Sequence, residues 1–196
     1  MTIHTAKSSP SARVRLLEAA ATLFYRDGIA ATGIDAIVKQ AGVAKKSLYN
    51  NFTSKANLVA AYLEARHGEW LALYEARLSE ASSPQERVLA VFLAYEDHAA
   101  QSYRYGFRGC GLLNAAAELS SEDAGRHVVR VHKEQVEALL SLHLKELLGT
   151  KSPRIAPLAR HLAFLLEGAM ARAGLEGQSD CLPQARSIAA NMLESL

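Results

Sequence analysis

Residues 32–55 read TGIDAIVKQAGVAKKSLYNNFTSK, and this stretch decides the fold. Its pattern predicts a short helix, a glycine turn, a second short helix and the capped start of a third. Thr32 suits an N-cap because its hydroxyl can accept from a free backbone N–H, and Asp35 follows near the positive end of the helix. Gly42 supplies the left-handed position that a tight helix–helix turn needs.

The second short helix has one apolar and one polar face. Its predicted inner face consists of Ala44, Leu48 and Phe52. Its predicted outer face, at spacings of i, i+1, i+4 and i+5, consists of Lys45, Lys46, Tyr49 and Asn50. Two cations, an aromatic hydroxyl and an amide on one exposed helix face are suited to a DNA major groove. We therefore expect double-stranded operator DNA as a partner.

This stretch also carries a family resemblance. Nine positions agree in order and spacing with the helix-turn-helix signature of the tetracycline-repressor (TetR) family of bacterial regulators: Thr32, Ile37, Ala41, Gly42, Val43, Leu48, Tyr49, Phe52 and Lys55. The resemblance covers about residues 11–60. Two positions depart from it: Gly33 stands where Thr or Ser usually offers a hydroxyl to phosphate, and Asn51 stands where His is common.

The resemblance implies a transcriptional regulator, and most naturally a repressor that a small-molecule effector releases from its operator. Candidates for contacts to base edges are Lys45, Lys46 and Asn50. Candidates for phosphate contacts, which position a protein without reading sequence, are Thr32, Tyr49, Asn51 and Lys55. Gly33 and Ser47 complete the predicted DNA-binding surface.

Composition and charge support this interpretation. The chain has 196 residues, of which 49% are hydrophobic and 21% charged, as in ordinary globular proteins. Residues 1–55 carry eight Lys and Arg against three Asp and Glu, a net charge of +5, whereas the remainder carries 14 against 17, a net charge of −3. A basic head on an acidic body fits a phosphate-backbone partner that touches only the head.

Other classes of protein find less support. No apolar run approaches a membrane span, the N-terminus lacks a secretory signal, and two cysteines do not suggest a disulfide framework, so we expect a cytoplasmic protein without membrane contact. We find no catalytic constellation, and His127 and His132 are five residues apart, off a shared helix face. We therefore expect no enzyme activity, no cofactor and no metal.

The pattern along the chain predicts an all-α protein of about nine helices. We expect a flexible arm at 1–10, a helix-turn-helix domain at 11–55 and an effector-binding and dimerisation domain at 56–196. The predicted apolar stripe of the first helix is Val14, Leu17, Ala21 and Phe24, and that of the fifth is Val88, Val91, Phe92 and Tyr95. The seventh helix, opened by Ser120-Ser121, has two apolar sides and is predicted to be sandwiched in the core.

The resemblance implies that the body holds the effector between its helices, and apolar walls with a few polar groups make an ordinary small-ligand site, although residue by residue the aromatics there could equally be plain core. The candidate pocket residues are Trp70, Tyr74, Tyr103, Phe107, Cys110, Asn114, Glu118, His132, Phe164 and Glu167. The resemblance also implies a homodimer through the last two helices. Its candidate interface residues are Leu158, Leu162, Leu165, Ala169, Ile188 and Met192.

Two alternatives stay open. Cys110 lies between glycines, beside Arg108 and just before a helix, features that favour a reactive thiolate, so the protein could instead be a redox or electrophile sensor. The competing interpretation is a buried structural thiol. A helical enzyme or interaction module without DNA binding is the alternative of another class, and failure to retain any genomic duplex would mark it.

Overall fold

The computed structural model describes residues 10–101 and 106–196, and every regular element within those ranges is an α-helix, which confirms the all-α class. The helices are α1 (Ala12–Asp27), α2 (Ile34–Ala41), α3 (Lys45–Asn51), α4 (Lys55–Glu80), α5 (Pro84–Ala100), α6 (Gly111–Glu118), α7 (Ala124–Leu148), α8 (Ile155–Glu176) and α9 (Cys181–Glu194). The chain divides into two compact units, Met1–Tyr62 and Leu63–Leu196. Among the described helices, none combines the length and apolarity needed to cross a bilayer.

In the first unit, α1 packs against both α2 and α3. Ser11 caps α1, and its hydroxyl accepts from the backbone N–H of Val14 at 3.3 Å. The predicted apolar stripe of α1 is confirmed only in part: Phe24 is 4% exposed, but Val14 is 43% exposed, whereas Leu16, outside the predicted stripe, is fully buried. Periodicity predicted an amphipathic helix, but the contacts with two partner helices determine which of its apolar rows turns inward.

In the second unit, α5 packs against α7 and α9, and α8 packs against the same two helices. The predicted inner face of α5 is confirmed, because Val88, Val91, Phe92 and Tyr95 are all buried. Ser83 and Glu86 form a capping box at the start of this helix, each satisfying a backbone N–H of the other. Together these helices enclose the core of the unit.

Helix α7 differs from its prediction in two respects. It begins at Ala124, where the Asp123 carboxylate accepts from Gly125 N–H at 2.7 Å, and not at Ser120-Ser121. One predicted side is buried: Val129, His132, Val136, Leu140 and Leu144. The second side is not sandwiched, since Val131 is 42% and Leu142 49% exposed. Helices α5, α6 and α8 cover only part of the circumference of α7.

Candidate functional site

Helix α3 presents a polar face to solvent. Leu48 is fully buried and Phe52 is 1% exposed, so these two side chains hold the seven-residue helix on its unit. The exposed residues of the opposite face are Lys45, Lys46, Tyr49 and Asn50. The four side chains predicted to enter the major groove therefore stand together at the surface.

The caps of α2 and α3 differ from their predictions. Gly33, not Thr32, is the N-cap of α2. Thr32 is 3% exposed, and its hydroxyl donates to the carbonyl of Gly28 at 2.6 Å. A phosphate contact by Thr32 stays a prediction, although its hydroxyl is already engaged inside the unit. Ala44 was predicted to face inward, but it is exposed because it precedes the first turn of α3 as its N-cap.

Lys45 forms an ion pair across the helix-turn-helix. Its ammonium nitrogen lies 2.9 Å from a carboxylate oxygen of Asp35, in the first turn of α2. The hydrogen bond and charge of Asp35 raise the pKa of Lys45. Both side chains are well exposed, so water screens the pair and a phosphate or guanine can compete for the lysine.

Two further predicted DNA-contact residues form hydrogen bonds within the unit. Asn51 donates from Nδ2 to the carbonyl of Ser47 at 2.8 Å, one helical turn earlier. Lys55 donates from Nζ to the carbonyl of Ile29 at 2.6 Å. Asn51, Ser47 and Lys55 are all half-buried. Their predicted phosphate contacts remain untested, and the structure assigns Lys55 a role in joining α4 to the loop before α2.

Arg15 is a functional residue that sequence reasoning missed. Its Nη2 donates to the carbonyls of Ala41 (2.5 Å) and Gly42 (2.7 Å), at the turn between α2 and α3. Gly42 has φ 62° and ψ 39°, and a Cβ there would lie 2.8 Å from Arg15 Nη2. The glycine thus supplies both the backbone conformation and the space for the guanidinium. A cation 27 residues before a turn carries no local signal that could have revealed this contact.

The second unit contains a small cavity. Its lining residues are Arg66, Trp70, Tyr95, His98, Ala99, Phe107, Gly109, Cys110, Gly111, Leu112, His132 and Met170. Its free volume of about 10 Å³ has room for one water-sized group. An open groove of about 410 Å³ adjoins it and shares Gly109, Cys110 and Met170 with its lining. These three residues therefore separate the cavity from the groove.

A hydrogen-bond chain runs beside the cavity. Lys133 Nζ donates to the Tyr95 hydroxyl at 3.3 Å, and that oxygen lies 3.3 Å from His132 Nε2. His132 Nδ1 lies 2.8 Å from His67 Nδ1. One self-consistent arrangement has Tyr95 donating to His132 Nε2 and His132 Nδ1–H donating to His67. The arrangement requires His132 to be neutral.

Burial, reinforced by nearby positive charges, keeps the histidines that line the cavity neutral. Arg66 donates from Nη2 to His98 Nε2. Burial, reinforced by the charge of Arg66, lowers the pKa of His98 to about 3. Burial, reinforced by Lys133, likewise lowers the pKa of His132 to about 3. Lys133 lies 3.9 Å from Glu167 and stays a cation. Positive charge is thus present near the cavity, and neutral imidazoles line it.

Some predicted pocket residues lie at this cavity and others do not. Those that line it are Trp70, Phe107, Cys110 and His132. Tyr74 instead stacks on Trp70, with ring centroids 5.7 Å apart, and its hydroxyl lies 2.6 Å from His143 Nε2. Asn114 lines the open groove, Glu118 is exposed, and Glu167 contacts Lys133. Tyr103 lies outside the described residues.

Phe164 is the clearest correction among the pocket residues. It is 64% exposed and lines a shallow depression on α8, with Pro157, Arg160, His161 and Leu165, away from the cavity lining. Sequence reasoning also missed Arg66 and His98. They lie 32 residues apart on α4 and α5, and no local sequence pattern predicts a contact between residues so far apart.

Cys110 belongs to a loop that lies directly against α8. Gly109, with φ 77°, approaches Gly174 so closely that a Cβ on Gly174 would lie 2.9 Å from the Gly109 Cα. The small residues on both sides permit this backbone contact and place Cys110 as the N-cap of α6. Cys110 is half-buried and lines both the inner cavity and the groove.

The predicted interface residues on α8 and α9 divide by burial. Leu162 is fully buried in the core of its own protomer, so it cannot form part of an exposed interface. Ile188 is 49% exposed, and the half-buried members are Leu158, Leu165, Ala169 and Met192. Together with Phe164, Ile188 and the half-buried residues leave apolar surface on the last two helices.

Comparisons with known proteins agree with this geometry. The family model described as "Bacterial regulatory proteins, tetR family" matches residues 16–62. A putative TetR transcriptional regulator from Streptomyces avermitilis has 33% identity and a TM-score of 0.76, with 94% of this chain and 99% of that chain covered. The reduced form of Escherichia coli NemR has 25% identity and a TM-score of 0.77, with 92% of this chain and 95% of that chain covered.

Among curated proteins, the transcriptional repressor KstR2 of Mycolicibacterium smegmatis is 36% identical over 91 residues. That match covers 46% of this chain and 44% of KstR2, so the chain spans less than half the length of this relative. The fold, the exposed polar face of α3 and the comparisons together define the class of protein, an all-α helix-turn-helix regulatory protein. The chain belongs to the TetR family of bacterial regulatory proteins.

Proposed function

We propose that this protein is a DNA-binding transcriptional repressor that acts as a homodimer and leaves its operator when a small-molecule effector binds. The observation that carries the proposal is the exposed polar face of α3, held outward by the buried Leu48. Lys45, Lys46 and Asn50 are the proposed base-reading residues. KstR2, which matches 46% of this chain, is itself named a repressor.

The division of labour follows the two units. The first unit carries the polar helix face, and the second carries the cavity and the exposed apolar residues of α8 and α9. One recognition helix covers only a few base pairs, so useful specificity favours a dimer on a two-fold operator. Exposed Phe164 and Ile188 support a self-association surface, since large exposed apolar side chains often mark interfaces.

The first experiment identifies the DNA. Purified protein is mixed with fragments of its own genome, the retained fragments are sequenced, and the selected duplex is used in fluorescence-anisotropy titrations. Lys46→Ala should weaken binding by about 1–3 kcal/mol and relax one base position if Lys46 reads a guanine. If it contacts phosphate instead, the salt slope should fall by about one unit.

Lys39→Ala is the matched control, because Lys39 is an exposed lysine of α2 outside the α3 face. It should change binding less than Lys46→Ala. Equal binding by wild type, Lys46→Ala and Tyr49→Ala would contradict the proposed surface. Retention of no genomic fragment would favour the helical module without DNA binding.

A second candidate function is a thiol-switched regulator. Cys110 lines both the cavity and the groove, so its modification would alter both. The solved structure of NemR, at 25% identity, is that of its reduced form. A Cys110→Ser variant that still binds operator but loses its response to oxidants or electrophiles would support the thiol switch. An unchanged response would leave the reversible effector as the mechanism.

A further inference from the structure

Trp70 lines the small cavity of the second unit and carries a buried polar group that needs a partner. The residue is 1% exposed, and its indole N–H has no acceptor among the described residues. An indole N–H can only donate, so the partner that it needs is a hydrogen-bond acceptor. Native proteins leave few buried donors unpaired, so this N–H indicates that an acceptor enters the cavity.

The charged side chains at the cavity already have partners. Arg66 pairs with Glu69 at 2.5 Å and also donates to His98. Lys133 lies 3.9 Å from Glu167, and no Asp or Glu occurs among the described lining residues. A charged ligand would therefore find no unpaired countercharge in the described lining to offset the loss of its hydration. This balance of charges favours a neutral ligand.

The two ring nitrogens of His132 are also engaged. Nε2 lies 3.3 Å from the Tyr95 hydroxyl, and Nδ1 lies 2.8 Å from His67 Nδ1. A ligand hydroxyl, which donates as well as accepts, would compete with these bonds for His132, whereas a carbonyl oxygen needs only a donor. Trp70 supplies that donor, so a group that accepts without donating fits the cavity best.

Apolar residues surround the donor and lead outward to the groove. Phe107, Leu112 and Met170 line the cavity, and Met170 also lines the open groove of about 410 Å³. The cavity has room for one water-sized group, which suits one oxygen atom but not a whole organic molecule. Because the Met170 side chain is flexible and unbranched, it can move aside and let the apolar body of a ligand continue toward the groove.

We propose that this cavity binds a neutral carbonyl compound, such as a ketone or an ester on an apolar body, whose carbonyl oxygen accepts from the indole N–H of Trp70. The inference rests on the proposed effector function and narrows the effector to that chemical class. The competing occupant is a single buried water, which would satisfy the same N–H without any ligand.

Four probes with one phenylethyl body test the chemical class. The full-length protein is titrated with 4-phenyl-2-butanone, 4-phenyl-2-butanol, 4-phenyl-2-butylamine and 3-phenylpropionate, and binding is followed by the emission of Trp70, the single tryptophan. The ketone should bind about tenfold more tightly than the amine and the carboxylate, because burial of an unpaired charge is costly. It should also bind more tightly than the alcohol. Equal or tighter binding by any of the other three probes, or no binding of the ketone, overturns the proposal.

Removal of the N–H from an otherwise similar ring tests the contact itself. Benzothienylalanine, in which sulfur takes the place of the indole N–H, is introduced in place of Trp70 by nonsense suppression. Calorimetry should then show about a five- to tenfold loss of affinity for 4-phenyl-2-butanone. Tyr74→Phe is the matched control and should keep the wild-type affinity, because Tyr74 stacks on Trp70 and is not among the cavity-lining residues. Unchanged affinity in the folded benzothienyl protein, checked by circular dichroism, contradicts the assignment.

The carbonyl stretch of the bound ketone gives a measurement that needs no variant. Infrared difference spectra are recorded with isotope-labelled 4-phenyl-2-butanone bound to the wild-type protein. The stretch should lie below its frequency in hexane, because a hydrogen bond from Trp70 weakens the C=O bond. A stretch at the hexane frequency would show that the bound ketone accepts no hydrogen bond. The indole N–H would then belong to a buried water only, and the proposal would be overturned.

Anisotropy with the selected operator separates the carbonyl site from the proposed function. If 4-phenyl-2-butanone binds selectively and releases the operator, both proposals stand. If it binds selectively without releasing the operator, the carbonyl site stands and the effector mechanism fails. If the operator is bound but the ketone binds no more tightly than the charged probes, DNA binding stands and the carbonyl site is rejected.

Discussion

The two units of this protein place their polar chemistry in opposite environments. In the first unit, the side chains proposed to bind DNA lie exposed on α3, around a buried Leu48. In the second, Arg66, His98 and His132 line a small interior cavity. Exposed charges are screened and free to exchange partners, whereas buried charges shift pKa values and need fixed partners. We therefore expect the first unit to respond chiefly to salt and the second to pH.

The largest effect should come from the core of the second unit. Leu162→Asp places a carboxylate at a fully buried position and should cost about 4 kcal/mol or more, enough to unfold the unit. Phe164→Asp lies two residues further along α8, at a 64% exposed position, and should leave the protein folded but weaken the dimer. Circular dichroism with light scattering distinguishes the outcomes. A folded Leu162→Asp protein would contradict the assigned core.

The pH response of the second unit should be the next largest. His98 and His132 are neutral in the folded state, with pKa values of about 3, but titrate near 6.5 when unfolded. As pH falls below 6.5, the unfolded chain therefore takes up more protons, and the free energy of unfolding decreases. The two groups together can contribute a slope of up to about 2.7 kcal/mol per pH unit between 6.5 and 3.

Denaturant titrations followed by Trp70 emission at pH 7.5, 6.5 and 5.5 measure that slope in the second unit. The double variant His98→Gln, His132→Gln should flatten it. His127→Gln, at an exposed histidine, is the control and should leave it unchanged. If the free energy of unfolding of the wild-type protein stayed constant down to pH 5, the expected pH response of the second unit would be contradicted.

Within the first unit, Arg15→Ala should cost about 2 kcal/mol of stability. The guanidinium donates to two carbonyls at the turn, and charge-assisted hydrogen bonds contribute more than neutral ones. Arg13→Ala is the comparison, since Arg13 stacks over the Phe52 ring at 4.6 Å and its hydrogen bond to the Asn51 carbonyl is long, at 3.5 Å. In thermal unfolding, the melting temperature of Arg15→Ala should be clearly lower than that of Arg13→Ala. The reverse order would refute the role assigned to Arg15.

The smallest expected effect is a gain in DNA affinity. Asp35→Asn removes the carboxylate that pairs with Lys45. The lysine then no longer has to give up this ion pair in order to contact DNA. Exposed pairs of this kind are worth about 0.2–1 kcal/mol, which corresponds to an increase of a few-fold at most. Anisotropy at low salt measures it, and Asp27→Asn serves as control because Asp27 pairs with Arg26. Weaker binding by Asp35→Asn would show that Asp35 helps to position α2.

Prediction from the sequence succeeded where the signal is local. Leu48, Phe52 and the α3 outer face follow from spacing within one helix, and Gly42 adopts the left-handed conformation that the turn required. It failed where packing against other parts of the unit determines whether a side chain faces inward or outward. Thr32 turned inward to the Gly28 carbonyl, and Val14 turned outward because of how α1 packs.

The sequence by itself determined the helices, the helix-turn-helix and the family, because periodicity, caps and turn residues act over a few positions. Only the tertiary structure decided which polar residues meet. Arg66 contacts His98 from 32 residues away, and His67 contacts His132 from 65 residues away. Such contacts depend on the packing of α4 against other helices. The type of residue at one position does not indicate which distant residue it will contact after folding.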